Sequence, residues 1–334
     1  MTKRIPTRAD PCRRRLTALA LATYLVTAGV APAAPAHAQD GNVVLPVREI
    51  ESRLQEQPFR ILDWRGSRKP EDRTQRAALA YEDSLILLAK WANAPTNASV
   101  YNNEPRYEVA AYLIQRLFLD EPDYVVPPTV VRSVPLSMMA EQMRDARPTF
   151  REAPASVLVT LQYWLWGVTD RDFWDDRRAR TDSVYARHIG NFNALTVVIR
   201  HSDANRGNYL ISEDSTNPRV FAVDNGVSFA SADSDRGYEW RELRVQRLPR
   251  RTVERLETVT RQQLDDLLGV IAEFEVRDGE LIAVPPGPNL SPNRGVRRTA
   301  ERIQLGLTSR EIRAIELRIR DLLRQANGHR IELF

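Results

Sequence analysis

From residue 59 to residue 166, short apolar runs alternate with turn-forming clusters, a pattern that predicts strands. The runs are FRILDWRG (59–66), AALAYED (77–83), SLILLAKWA (84–92), TVVRSVPL (129–136) and SVLVTLQYWLW (156–166). Each is rich in β-branched, leucine or aromatic residues and is bounded by Pro, Asn, Asp or Ser. Glu82 and Asp83 stand between the second and third as a hairpin turn. The period changes once, in EPRYEVAAYLIQRLFL, where Val109, Tyr112, Leu113, Leu117 and Phe118 fall near one helical face. Asn102 and Asn103 are expected to cap that helix, with Pro105 in its first turn.

Beyond Gly167 the pattern is helical. TDRDFWDDRRARTD has few apolar anchors and is expected on the surface, ahead of a helix over 183–199. Thr260–Ile271 and Thr308–Asn327 each open on a capping box, Thr260 with Gln263 and Thr308 with Glu311. In the last helix Ile312, Ile315, Ile319, Leu322 and Leu323 make the apolar stripe. VPPGPNLSPNRG (284–295) reads as an extended, proline-rich connector. No period of repeat length recurs.

The first residues follow a different logic. TKRIPTRADPCRRR is basic, LTALALATYLVTAGVA is apolar, and APAAPAHA ends on small residues, which predicts a signal peptide over 1–38 cleaved after Ala38 and an exported chain. Thr17, Thr23, Thr27 and Gly29 interrupt the apolar run, and prolines end it, so no transmembrane anchor is expected after cleavage. Arg13, Arg14 and Arg15 leave both general secretion and twin-arginine export open. This changes the charge balance: the leader carries six of the 48 basic residues and one of the 44 acidic ones, leaving 42 against 43. The excess positive charge that would favour a nucleic-acid partner is therefore gone. Cys12, the only cysteine, leaves too, and the remaining length must be stabilised by core burial without disulfides.

Candidate chemistry begins at RHSDANRGNYL (200–210). His201, Asp203 and Asn208 form H-x-D-x-x-x-x-N, a spacing that lets one loop offer a carboxylate base to a hydroxyl and an amide oxygen to a metal. A turn in which Asp203, Asn205 and Asn208 cap their own backbone is the bland alternative. RVFAV (219–223) then reads as a strand with Asp224 at its end, followed by Asn225 and Gly226, the glycine permitting a sharp turn. ISEDSTNP reads as the hairpin connection between them. A carboxylate and an amide suit magnesium or manganese, which prefer hard oxygen ligands together with phosphate.

Past the leader only two lysines remain, Lys69 and Lys90. Lys90 ends the strand SLILLAK, where a compact ammonium can reach nucleotide phosphates. Glu108 follows in the first turn of the helix among the strands, with Glu104 as a competing neighbour. The succession of Lys, helical Glu, strand pair, Asp with Asn, then Asp-x-Gly is that of a kinase.

VDNGVSF resembles the metal-binding segment of type II phosphatidylinositol 4-kinases and of secretory-pathway atypical kinases, where D-N-G replaces D-F-G. YEVAAYLIQRLFLDEPDYVVPPT resembles their helix and following loop. The resemblance covers roughly 60–240 and implies an α+β, two-lobed protein-kinase-like fold with a small β-rich N-lobe, one main helix and a mainly helical C-lobe. It places an N-terminal extension at 39–58, the N-lobe at 59–166 and the C-lobe at 167–334. It implies Asp203 as base, Asn208 and Asp224 as magnesium ligands, Lys90 and Glu108 as the phosphate-positioning pair, and 162–168 as the hinge beside adenine. The implied activity is transfer of a phosphoryl group from ATP with magnesium or manganese to a hydroxyl of a protein, lipid or small molecule. The alternative is a catalytically inactive, pseudokinase-type binding module. Two departures stand out: Ser202 replaces the arginine of H-R-D, and no glycine-rich loop exists, Gly66 and Ser67 with Arg68 and Lys69 being the candidates for its place. Trp164, Trp166 and Trp174 are expected to pack between lobes rather than bind nucleic acid. The histidines have no zinc spacing, and no nucleophile elbow occurs.

Overall fold

The structure, a computed structural model, describes residues 41–66, 74–100, 103–143, 146–205, 207–229 and 246–334. The expected leader, Ser67, Lys69 and the cap Asn102 lie outside the described residues.

After α1 (Val47–Gln55), three antiparallel strands follow, β1 (Arg60–Gly66), β2 (Thr74–Ala80) and β3 (Ile86–Asn93). Next come α2 (Pro105–Ile114), β4 (Thr129–Pro135), α3 (Leu136–Gln142) and β5 (Ser156–Tyr163). The strands form one sheet in the order β1-β2-β3-β5-β4. Alternation along β3 explains its two faces: Leu87, Ala89 and Trp91 are fully buried, whereas Ile86, Leu88 and Lys90 are not. Trp64 and Phe59 meet Trp91 edge to face, at 5.1 and 6.1 Å between ring centroids.

β2 begins three residues earlier than its apolar run, because Thr74, Gln75 and Arg76 pair with Ala92, Trp91 and Lys90. β5 ends at Tyr163, and Trp164 and Trp166 are 39% and 48% exposed instead of packing between lobes. α2 is buried almost all round and carries no side-chain cap: Glu104 holds the cap position, and Asn103 donates to the Asn93 carbonyl instead.

β6 (Val168–Thr169) and α4 (Asp176–Thr181) lead into α5 (Ser183–Ile199), whose span matches the expectation. Asp182 starts α5 by accepting from the amides of Val184 and Tyr185. Arg200, in the left-handed conformation at φ 51°, ends it and turns the chain into the 201–205 loop. β7 (Tyr209–Ser212) and β8 (Val220–Ala222) form the expected antiparallel hairpin, with β6 on the outer side of β7.

The remainder holds β9 (Arg247–Leu248), α6 (Arg250–Glu257), α7 (Arg261–Leu268), β10 (Ala272–Arg277), β11 (Glu280–Val284), β12 (Val296–Arg298) and β13 (Arg302–Leu305). α8 (Ser309–Asn327) and β14 (Glu332–Leu333) close the chain. Both capping boxes form as the sequence predicts. The helical second half is corrected in one respect: β10 to β13 make a four-stranded antiparallel sheet. Its Phe274, Leu281, Ile303 and Leu305 share a small core with Val109, Val131 and Leu158 of the N-terminal lobe. No helix of the described residues is long and apolar enough to cross a membrane.

Candidate active site

Sheet and helix bring the first pair together. Lys90 projects from the less buried face of β3, and Glu108 points at it from the first turn of α2. Lys90 Nζ lies 3.5 Å from Glu108 Oε1 and 3.2 Å from Asp224 Oδ1. Residues separated by 134 positions thus meet on one ammonium. The second oxygen of Glu108 accepts the Asn225 amide at 2.9 Å, which fastens the helix to the Asp224-Asn225-Gly226 turn. Glu104, the competing acid, turns instead to Arg106 and Ser99.

Burial disfavours the charge on Lys90, but the carboxylates of Asp224 and then Glu108 outweigh it and raise its pKa. Lys90 is also the main reason that Asp224 titrates below the usual carboxylate range. Glu108 behaves oppositely: burial pushes its pKa up, against the pull of Lys90. Asp224 keeps half its side chain exposed and remains ionised, while Glu108 is the desolvated partner.

At the sharp turn expected around Gly226, the left-handed residue is Asp224, at φ 60°, a conformation that aspartate tolerates better than most residues. Val223 N–H donates to the Asn208 carbonyl and Ser202 N–H to Val227, so the two loops are sewn together. Asn208 Nδ2 donates to the backbone oxygen of Asp203 at 2.8 Å and to its Oδ2 at 2.9 Å. Asn205 Nδ2 donates to Oδ1 at 3.1 Å. Both carboxylate oxygens of Asp203 are therefore aimed by amides, and the Asn208 amide oxygen is left pointing away from Asp203. Buried His201 has its pKa lowered by desolvation and is neutral near pH 7.

A cleft of about 820 Å³ opens beside Lys90, the one candidate site residue among the described residues that lines it, with Gln162, Trp164, Leu210 and Val223 among its other walls. The 162–168 stretch forms one wall. Gly66 is paired with Gln75 at the end of the β1–β2 ladder, with no positive φ; a Cβ there would meet only Gln75 Oε1 at 3.5 Å.

Two contributors escaped the sequence reading. Asn42 Nδ2 donates to the carbonyls of Trp166 at 2.8 Å and Gly167 at 3.1 Å, pinning the segment that joins the lobes. Phe229 is fully buried against Tyr107 of α2, ring centroids 5.3 Å apart, below the Asp224 turn. The apolar spacing VSF after Asn225-Gly226 carried a faint signal for Phe229; nothing near Asn42 pointed to Trp166, 124 residues away.

The donors suit a hard divalent cation held with phosphate: one ionised carboxylate, Asp224, and one amide oxygen, Asn208. Among the described residues no cluster of three or more His, Cys, Asp or Glu could hold a metal alone. The remaining ligands would have to come from phosphate and water.

No family model matches the chain, and no curated protein does. Solved structures do. Hydra Fam20, determined with sugar, aligns at a TM-score of 0.52 and 16% identity, over 86% of this chain and 92% of that one. The Golgi casein kinase aligns at a TM-score of 0.46 and 13% identity in two structures, one with Mn and ADP bound, each over 75% of its own chain. With the sheet order β1-β2-β3-β5-β4, one helix beside it and a helix-bearing second lobe, this chain has a two-lobed, kinase-like α+β fold similar to that of hydra Fam20.

Proposed function

We propose that the chain is an exported phosphotransferase that moves a phosphoryl group from a metal-bound nucleotide to a hydroxyl. The observation that carries this reading is the ammonium of Lys90 held between Glu108 at 3.5 Å and Asp224 at 3.2 Å, beside a cleft. That arrangement keeps a compact positive charge oriented where charge on a transferred phosphoryl group needs to be offset. Asp203, its two oxygens aimed by Asn205 and Asn208, orients the acceptor hydroxyl and takes its proton. Asn208 and Asp224 would hold Mg²⁺ or Mn²⁺, which would supply positive charge to offset that of the donor phosphates. ATP is the expected donor, and the acceptor is a hydroxyl of a protein, lipid or small molecule. Export rests on the basic, apolar and small-residue order of residues 1–38.

The test is thermal. Mg·ATP is expected to raise the melting temperature of the purified protein, and Asp224→Ala to abolish the rise without lowering the unliganded midpoint by a comparable amount. A flat response in the wild type would refute nucleotide binding and favour a silent binding module. Incubation with γ-labelled ATP and candidate acceptors, read by mass spectrometry, then separates an added phosphate from an added nucleotide.

A further inference from the structure

One transverse row crosses the whole five-stranded sheet. Arg65 on β1 pairs with Arg76 on β2, Arg76 with Lys90 on β3, Lys90 with Gln162 on β5, and Gln162 with Thr129 on β4. Directly opposed residues point to the same face, so Arg65 and Arg76 share the face of Lys90, which lines the cleft. Neighbouring strands lie about 4.8 Å apart, which puts all three cations within reach of one ligand.

Two of the three are neutralised within the protein. Arg65 meets Asp63 at 2.7 Å, and Lys90 meets Glu108 and Asp224. Arg76 is different. Among the described residues its side chain has no carboxylate within ion-pair distance and no hydrogen bond; its guanidinium lies over the Trp164 ring, 5.5 Å from the centroid. Like charges placed opposite each other across strands are unfavourable, and here an unneutralised arginine stands between two other cations. Sheet burial does not require it, because Arg76 is on the less buried face. Gly66, at the end of the same ladder, pairs with Gln75 and has no positive φ.

We propose that Arg76 binds the polyphosphate chain of the donor, supplying with its side chain the charge and paired donors that a glycine-rich loop would supply with backbone amides. The guanidinium fork suits two phosphate oxygens at once. Its guanidinium is seated on the ring of Trp164, which itself lines the cleft. This inference rests on the phosphotransferase reading and names the part of the donor that β2 recognises. The ligand is a chain of linked phosphates, carried by a nucleotide or free.

Calorimetric titration of wild type, Arg76→Ala and Arg76→Lys with Mg·ATP, adenosine and Mg·tripolyphosphate tests it. Arg76→Ala is expected to weaken Mg·ATP about ten- to a hundredfold while leaving adenosine within about twofold of wild type, with Arg76→Lys between. Tripolyphosphate bound as tightly as ATP, and lost with Arg76, would identify a free phosphate chain as the ligand; weaker binding would identify the nucleotide. Equal ATP affinity in wild type and Arg76→Ala, or equal losses for ATP and adenosine, would overturn the proposal and leave the phosphotransferase reading standing. A wild type that binds neither phosphate ligand would overturn both. Unchanged circular dichroism and unliganded melting of Arg76→Lys guard against a folding defect, since that variant keeps the charge and the strand.

Discussion

Asp203 is held as a base is held, by hydrogen bonds that aim both of its oxygens. Asn205 and Asn208 each reach one oxygen, so the carboxylate loses rotational freedom before a hydroxyl arrives. Asp203→Asn is expected to preserve nucleotide binding and to lower turnover by about 10²- to 10⁴-fold, the usual span of general-base catalysis. Paired thermal-shift and single-turnover measurements separate the two effects. Loss of nucleotide binding in this variant would make Asp203 part of the metal site instead. Asp224 sits differently: half exposed, and ionised because Lys90 faces it, it has an oxygen to offer a cation.

At the scale of elements, α5 sets where the Asp203 loop begins. Its start depends on Asp182, whose Oδ1 accepts the amides of Val184 at 3.0 Å and Tyr185 at 3.1 Å. Asp182→Ala is expected to cost about 1 kcal/mol in urea unfolding, the ordinary loss of an N-cap. The backbone bond from Tyr185, helped by Arg178, lowers the Asp182 pKa. A carboxylate depressed by folding stabilises fully above its unfolded value near 3.8 and loses that stabilisation as pH falls through the lower folded value. Asp182→Asn keeps an N-cap and should flatten this part of the acid limb relative to wild type. An acid limb identical in both proteins would show that the carboxylate contributes nothing beyond the cap.

Across the whole molecule, the tail of the chain holds the helix that carries Glu108. Arg106 and Tyr107 of α2 both reach Glu311, the capping-box acid of α8, with Arg106 Nη1 2.8 Å from Oε2. Arg106 and Glu311 are buried, and the guanidinium holds the carboxyl of Glu311 below its ordinary value against the opposing effect of burial. Removing Glu311 leaves the buried Arg106 with Glu104 alone to offset its charge, so Glu311→Ala should cost up to about 3 kcal/mol, the lower end for breaking a buried pair. It should also weaken Mg·ATP, because α2 would no longer hold Glu108 against Lys90; denaturant titration and calorimetry read the two effects. Gly295 presses on the same arginine. An added Cβ would lie 2.4 Å from Arg106 Cζ, which makes Gly295→Ala a milder probe of the contact, expected to destabilise in the same direction. Unchanged stability in both variants would show that α2 is held by its apolar core alone.

The five strands of the N-terminal lobe with α2 among them, the span of α5 and both capping boxes were legible in the sequence, because each is a matter of neighbours along the chain. Apolar alternation marks a strand wherever one face is buried, and a threonine with Gln or Glu three residues on satisfies helix-end amides by itself. Other features were illegible for equally physical reasons. α1 starts at Pro46 with no side-chain cap, so its stripe of Val47, Ile50 and Leu54 lacked a start signal. The β10–β13 sheet buries Glu273, Arg297 and Gln304, whose polar letters hid strands that are paid for by partners elsewhere: Gly287 and Arg302 for the glutamate, three backbone carbonyls for the arginine. Tertiary structure alone decided that Arg76 stands beside Lys90, that Asn42 grips the Trp166 and Gly167 carbonyls, and that Glu311 locks α2. Those meetings depend on strand register and on chain segments brought together from as far as 205 positions apart. Local periodicity specifies which face an element buries, whereas the partner on that face is selected by packing the entire chain.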